Sequence, residues 1–277
     1  SRIKGEEGFV AVYVDAQAAG DVEDAVYAPP EVVRLIAEIA AELAGPAGRV
    51  AALALPRAFK RLKASQLRGK HIVLLVDDVA RPLGLDRLEG YAKSLLNLME
   101  ELLAAGATSV LALATTSEGV SRSVLARHNY VSPAQIWNLG PEAFVELLEE
   151  LGTPKSVTGD AWLALGGNPR LALALRARSW RLERLEEDLY RSIRILLEPL
   201  GREARGQLAE VVEDVDAVMN YPQLLRHLLD SNLITPVDRP CIGYTPPVDP
   251  ELGVGRHYAW QTPLHHRLTR KFLREHG

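Results

Sequence analysis

Two adjacent carboxylates, Asp77 and Asp78, end the run Lys70-His71-Ile72-Val73-Leu74-Leu75-Val76 and precede Val79. Side by side after five apolar residues, they make an oxygen-rich corner suited to a hard cation such as Mg²⁺, which takes oxygen ligands and keeps several waters. Hydroxyls close another apolar run, where Ser109-Val110-Leu111-Ala112-Leu113-Ala114 leads into Thr115-Thr116-Ser117. Short hydroxyl side chains also favour capping positions, so a cap for the following segment is the plain alternative there. Gly166-Gly167-Asn168-Pro169 has its own plain reading, a helix stop followed by a Pro-initiated helix. Asp15, after Phe9-Val10-Ala11-Val12-Tyr13-Val14, reads as a strand-end or capping residue rather than a ligand. His257, His265 and His266 are not expected to form a metal centre. Adjacent histidines point to different sides of a helix, and no cysteine or third carboxylate is well spaced beside them.

These groups need elements to position them. A short apolar run without alternation fits a strand covered on both faces, as in a parallel α/β sheet. Ligands bind such sheets at the carboxyl ends of the strands, which is where Asp77 and Asp78 would emerge. Residues 9–15 and 109–114 read as further strands, and Gln135-Ile136-Trp137-Asn138-Leu139 as a fourth, short one. Between them, Glu31 to Leu43 has helical spacing, with Pro30 in the first turn and Gly45-Pro46 as its stop. Residues 48–68 read as helical with a break at Pro56, and Leu85 to Ala105 as a long amphipathic helix ended by Gly106. Past Gly140-Pro141 the strand signal ends. Helices are expected over 142–151, 160–165, 169–180, 181–200, 203–218 and 222–229. Strands at 233–237 and 256–260 around a Pro- and Gly-rich loop then lead into a basic helix from Leu264 to Arg274, an ending that resembles a winged helix.

Bulk properties set the frame. The 277 residues carry a formal net charge of −4, with 47% hydrophobic and 25% charged side chains, an ordinary globular composition for one large domain or a few small ones. A single cysteine, Cys241, rules out an internal disulfide and fits a reducing cytoplasm. No apolar run reaches the ~18 residues a membrane span requires, so no membrane partner is expected. Net acidity provides no general pull on nucleic acid. Arg267, Arg270, Lys271 and Arg274 make a basic end to the last helix, read as a solvated turn complementing the helix dipole, with DNA phosphate as the alternative. The helix at 222–229 offers only Arg226 and His227 for groove entry.

In this order, the Asp-Asp strand, the Thr-Thr strand, Gln135-Ile136-Trp137-Asn138-Leu139-Gly140-Pro141-Glu142-Ala143-Phe144, the Gly166-Gly167-Asn168-Pro169 turn and the winged-helix-like end resemble the archaeal branch of the AAA-type and STAND P-loop ATPases, relatives of the origin-recognition ATPases. The resemblance spans roughly residues 9–277. It implies ATP or ADP with Mg²⁺ as cofactors, Asp77 orienting the metal through water, and Asp78 polarising the attacking water as in a Walker B strand. It implies Thr115 or Thr116 as the sensor near the γ-phosphate. Asn168 and Pro169 would contact the nucleotide, Pro169 packing on the adenine, and Arg122 would approach the phosphates. The implied architecture is a nucleotide-binding core over 1–140, a helical lid over 141–180 and a winged-helix domain over 181–277 that engages DNA or a partner protein.

One family part has no counterpart. The phosphate cradle Gly-x-x-x-x-Gly-Lys-Ser/Thr, whose amides and lysine hold phosphates, is absent from the 277 residues. Gly152-Thr153-Pro154-Lys155-Ser156 lacks the glycine before lysine and carries a proline that removes an amide. The expected fold is therefore an α/β, mostly parallel P-loop-type sheet without its first strand. The chain is expected to be a fragment, or to receive that strand from another segment, and to hydrolyse ATP poorly by itself. The alternatives are a catalytically dead scaffold acting through the winged helix, and another Mg²⁺-dependent α/β enzyme using Asp77 and Asp78.

Overall fold

The computed structural model describes residues 8–62, 64–117, 121, 124–125, 129–237 and 240–276. It divides into two compact units, Ser1–Pro133 and Ala134–Gly277. In the first, the order is β1 (Phe9–Asp15), α1 (Val22–Ala25), β2 (Val26–Tyr27), α2 (Pro30–Ala40), α3 (Ala47–Arg61), α4 (Ala64–Leu67), β3 (His71–Asp77), α5 (Ala80–Leu83), α6 (Leu85–Ala104) and β4 (Ser109–Ala114). The sheet order is β2-β1-β3-β4. β1, β3 and β4 are parallel, and the two-residue β2 folds back antiparallel on β1.

Register decides what these strands present at their ends. Asp15 lies opposite Asp77, and Val76 lies opposite Ala114, so Thr115 is the next residue along beside Asp77. Backbone bonds tie the tips together: Ala16 N–H donates to the Asp77 carbonyl at 3.1 Å, Thr115 N–H to Val76 at 2.9 Å, and Val79 N–H to Thr115 at 3.1 Å.

One face of the sheet is buried. Val12, Val14, Ile72, Leu74 and Val76 are at most 1% exposed and share a core with Ile36, Leu55, Phe59, Leu88 and Leu98 of α2, α3 and α6. The opposite face corrects the expectation of strands covered on both sides. Phe9, Tyr13, Leu111 and Leu113 are 38–48% exposed, because the described helices of this unit pack their apolar stripes on the other face. Unalternating apolar residues mark a parallel strand here without marking two covered faces.

The expected break at Pro56 is also corrected, since α3 runs through it. A proline inside a helix leaves the carbonyl four residues earlier without its partner. That carbonyl belongs to Ala52, and it accepts from the buried Tyr91 hydroxyl of α6 at 3.2 Å. A side-chain donor thus replaces the missing amide, and the helix continues. The helix predicted over 85–105 is seen as Leu85–Ala104, with Gly106 at φ +98° after it.

The second unit holds α7 (Pro141–Glu150), α8 (Lys155–Leu165), α9 (Pro169–Ala177), α10 (Leu182–Leu197), α11 (Arg202–Glu213), a 3₁₀ turn (Val215–Asn220), α12 (Pro222–Asp230), β5 (Ile234–Pro236), β6 (Tyr258–Trp260) and α13 (Pro263–His276). β5 and β6 pair antiparallel. Phe144, Leu165, Leu175, Leu185, Leu228, Trp260 and Phe272 belong to one buried cluster, so the helices at 141–177 and those after residue 181 share a core. The fourth strand expected at 135–139 is not formed. Ile136 makes one isolated bridge to Ile242 and is 74% exposed. The backbone of this segment finds loop partners instead: the Gln135 carbonyl accepts from Ile242 N–H at 2.7 Å and Leu139 N–H donates to Gly167 at 3.0 Å.

Gly48 fixes the approach of α3 to the tip of β1. A Cβ there would stand 2.2 Å from the Asp15 carbonyl oxygen and 2.6 Å from Ala16 C and Ala18 N. Gly48→Ala is therefore expected to destabilise the chain by about 1–3 kcal/mol, the usual range for overpacking, measured as a lowered urea midpoint.

Candidate functional site

The ends of β1, β3 and β4 bring Asp77, Asp78, Thr115, Ser117, Tyr13 and Gln17 into one polar cluster. Thr115 is its hinge. Its hydroxyl donates to Asp77 Oδ1, and its Oγ1 accepts from the Asp78 backbone N–H at 2.9 Å. One hydroxyl has one proton and two lone pairs, so it can do both at once. Asp77 Oδ2 accepts from the Tyr13 hydroxyl at 3.0 Å. Asp78 accepts from Ser117 Oγ at 3.0 and 3.1 Å, one contact to each carboxylate oxygen, and from Gln17 Nε2. Asp15 is turned to local work, its Oδ1 accepting from Gln17 N–H at 2.9 Å.

Asp78 has φ +51°. Few residues other than glycine adopt the left-handed region, and aspartate is among those that do so most readily. This conformation ends the strand and turns Asp78 away from the alternation of β3, so both consecutive carboxylates reach the same tip.

Tyr13 responds to this setting. Its phenol is pushed up to about 12, first by partial desolvation, then by its hydrogen bond to Asp77, then by the negative charges of Asp77 and Asp15. The neighbouring carboxylates disfavour a phenolate beside them.

Two carboxylates with surrounding hydroxyls form an oxygen donor set. Among the described residues no group of three or more His, Cys, Asp and Glu side chains stands close enough to hold a metal ion. That donor set fits Mg²⁺, which binds through one or two carboxylates and completes its shell with water and phosphate, better than a cation needing an all-protein cage.

The remaining sequence-predicted residues fall elsewhere. Thr116 bonds Ser121 at 2.7 Å, so of the two threonines it is Thr115 that meets the acid pair. Arg122 lies outside the described residues. Asn168 and Pro169 open α9 in the second unit. Asn168 Oδ1 accepts from Leu171 N–H at 3.0 Å as an N-cap, its Nδ2 donates to Asn138 at 3.3 Å, and Pro169 occupies the first turn and is exposed. The glycines before them answer to geometry: Gly167 has φ +80°, and a Cβ there would stand 1.9 Å from the Leu139 carbonyl oxygen. His266 is buried, with Nε2 2.7 Å from the Val212 carbonyl, and His265 Nδ1 is 2.8 Å from Thr262 Oγ1. In the basic last helix, Arg267 pairs with Glu186, Arg270 with Glu213 and Lys271 with Glu275.

Tyr13 and Gln17 were not singled out from sequence. Alternation along β1 does place Tyr13 on the face of Asp15, but only the β1–β3 register carries it to Asp77.

A mostly parallel α/β sheet with helices is consistent with a P-loop NTPase-like fold. A family model described as an ATPase domain predominantly from Archaea matches residues 3–175. The match covers more than half of the chain, and the chain belongs to this family. Comparison with curated proteins found no match, and comparison with solved structures found none. No described helix is long and apolar enough to cross a membrane.

The Tyr13 environment has a titration consequence. Because its folded pKa is raised above the ordinary 10, its contribution to stability is complete below pH 10 and is lost as pH rises through about 12. The phenolate absorbance difference between wild type and Tyr13→Phe is expected to titrate near 12, and to move back toward 10 in Asp77→Asn. A midpoint at 10 in the wild-type difference would show that the carboxylates do not act on Tyr13.

Proposed function

We propose that this chain carries the metal-and-water side of a P-loop ATPase, coupling Mg²⁺-ATP binding and hydrolysis to the helical region that follows. The single observation that supports it most is the Asp77–Thr115–Asp78 arrangement, in which one hydroxyl at the end of β4 ties the Asp77 carboxylate to the Asp78 backbone N–H at the adjoining tip of β3. In this reading Asp77 orients the cation through water as the Walker B aspartate, and Asp78 accepts a proton from the attacking water. Thr115 is the sensor that holds the two in register. Mg²⁺, when bound, supplies positive charge against the phosphate oxygens. Asp78 suits a base because Ser117 and Gln17 hold its carboxylate in place, and a positioned base is worth about 10²–10⁴ in rate.

The family match ends within α9, which supports reading 141–180 as the lid of the ATPase domain, with Asn168 and Pro169 at the nucleotide. The segment 181–277 is then the winged-helix-like part that answers to nucleotide state. The carboxylate pairs on Arg267, Arg270 and Lys271 favour a protein partner over DNA, since those charges are already balanced. Phosphates need amides and a lysine that Gly-x-x-x-x-Gly-Lys-Ser/Thr would bring, and residues 1–277 do not contain it. Hydrolysis therefore depends on a cradle from outside these residues.

Phosphate release from ATP tests both parts. Residues 1–277 are expected to release phosphate no faster than buffer. In the intact protein, Asp78→Asn is expected to lower kcat by about 10²-fold or more with ATP still bound. Turnover by residues 1–277 that Asp78→Asn removes would contradict the need for a cradle. Unchanged turnover in the intact Asp78→Asn protein would contradict the role of Asp78.

A further inference from the structure

We propose that Tyr13 and Gln17 are positioning residues that clamp the acid pair from the β1 side, so that each carboxylate is held between two strands. The inference rests on the cation reading of Asp77 and Asp78 given above and adds a layer to it. Asp77 presents one oxygen to Thr115, at the end of β4, and the other to Tyr13, on β1. Asp78 repeats the pattern, accepting from Ser117 after β4 and from Gln17 after β1. Four donors on two flanking segments thus fix two carboxylates on the central strand.

The geometry of β1 makes this possible. Parallel pairing sets Tyr13 opposite Leu75 and Asp15 opposite Asp77. Tyr13 therefore stands two residues back from the tip, on the same face as Asp77, and a phenol is long enough to span that distance. An aliphatic residue there would leave Asp77 Oδ2 without this partner. Gln17 reaches Asp78 because Asp15 caps the turn after β1, accepting from the Gln17 N–H at 2.9 Å. The packing of Gly48 against the Asp15 carbonyl holds that turn down. Asp15 is thus a turn former that aims Gln17.

Neither side chain is built into the core. Tyr13 is 38% exposed and Gln17 is exposed, so hydrophobic packing alone does not account for where their polar atoms lie. Neutral donors on both sides restrict rotation of each carboxylate without occupying all of its lone pairs, since two oxygens offer about four acceptor sites. A cation then meets carboxylates already oriented, which lowers the ordering cost of binding. Outer partners of this kind commonly tune metal affinity by about 10–100-fold.

Mn²⁺ alone, read by the electron-spin signal of the free ion, tests the clamp on residues 1–277 without turnover. Tyr13→Phe keeps the ring and removes only the hydroxyl; Gln17→Ala alters an exposed loop. Each is expected to weaken Mn²⁺ binding by about tenfold in a chain that stays folded, with a cooperative urea transition kept. Tyr13→Phe is expected to add nothing in the Asp77→Asn background, because the carboxylate it orients is then gone. If Asp77→Asn and Asp78→Asn weaken Mn²⁺ but Tyr13→Phe and Gln17→Ala do not, the clamp is wrong and the cation reading stands. If the two Asp→Asn variants leave Mn²⁺ affinity unchanged, the cation reading fails and the clamp fails with it.

Discussion

Parallel pairing of β1, β3 and β4 in one register is the constraint on which the rest of the first unit depends. It lines up Asp15, Asp77 and Thr115 at one end of the sheet, and no side chain in the acid cluster could meet the others without it. Parallel strands cannot be joined by tight turns, so the chain spends α1–α4 on one crossover and α5–α6 on the next. Helices α2, α3 and α6 supply the buried face. Gly48 and the Tyr91–Ala52 bond are local devices that let α3 lie close enough to serve it. The carboxylates are functional candidates because the strands under them are fixed on both edges of β3.

Much of this was legible in the residues, for identifiable reasons. The runs at 9–15, 71–77 and 109–114 are apolar and short; the first two end in Asp and the third leads into Thr115, so strand and strand end could be read together. The helices carry proline at the first turn and glycine after the last, as at Pro30, Pro169 and Gly106. Register was not legible. A run of apolar residues does not say which neighbour it faces, so the meeting of Tyr13 with Asp77 and of Gln17 with Asp78 needed coordinates. A short apolar run need not be a strand at all, as at 135–139, where Ile136 is exposed and the backbone pairs with loops. At Pro56 a propensity rule was overridden by one tertiary hydrogen bond.

The glycine-rich turn before Pro169 shows how a motif can be needed twice. Gly167 lies against the Leu139 carbonyl where no Cβ fits, and Asn168 caps the helix that follows. These demands are structural and explain the residue types fully within the second unit. The nucleotide role proposed for Asn168 and Pro169 is an additional use of an already constrained turn, one that leaves Pro169 exposed at a helix start. The acid pair differs, because carboxylates at the end of a buried strand have no packing role that a smaller polar residue would not fill.

The proposed cation site of this ATPase-family chain is Asp77 and Asp78 at the tip of β3. Nuclear magnetic resonance of the chain titrated with trace Mn²⁺ tests it most directly, because paramagnetic broadening marks the nuclei nearest the ion. The amides of Asp77, Asp78 and Thr115 and the ring of Tyr13 are expected to broaden first. First broadening at another acidic surface, such as Glu183, Glu186 and Glu187 of α10, with the strand tips unaffected, would contradict it.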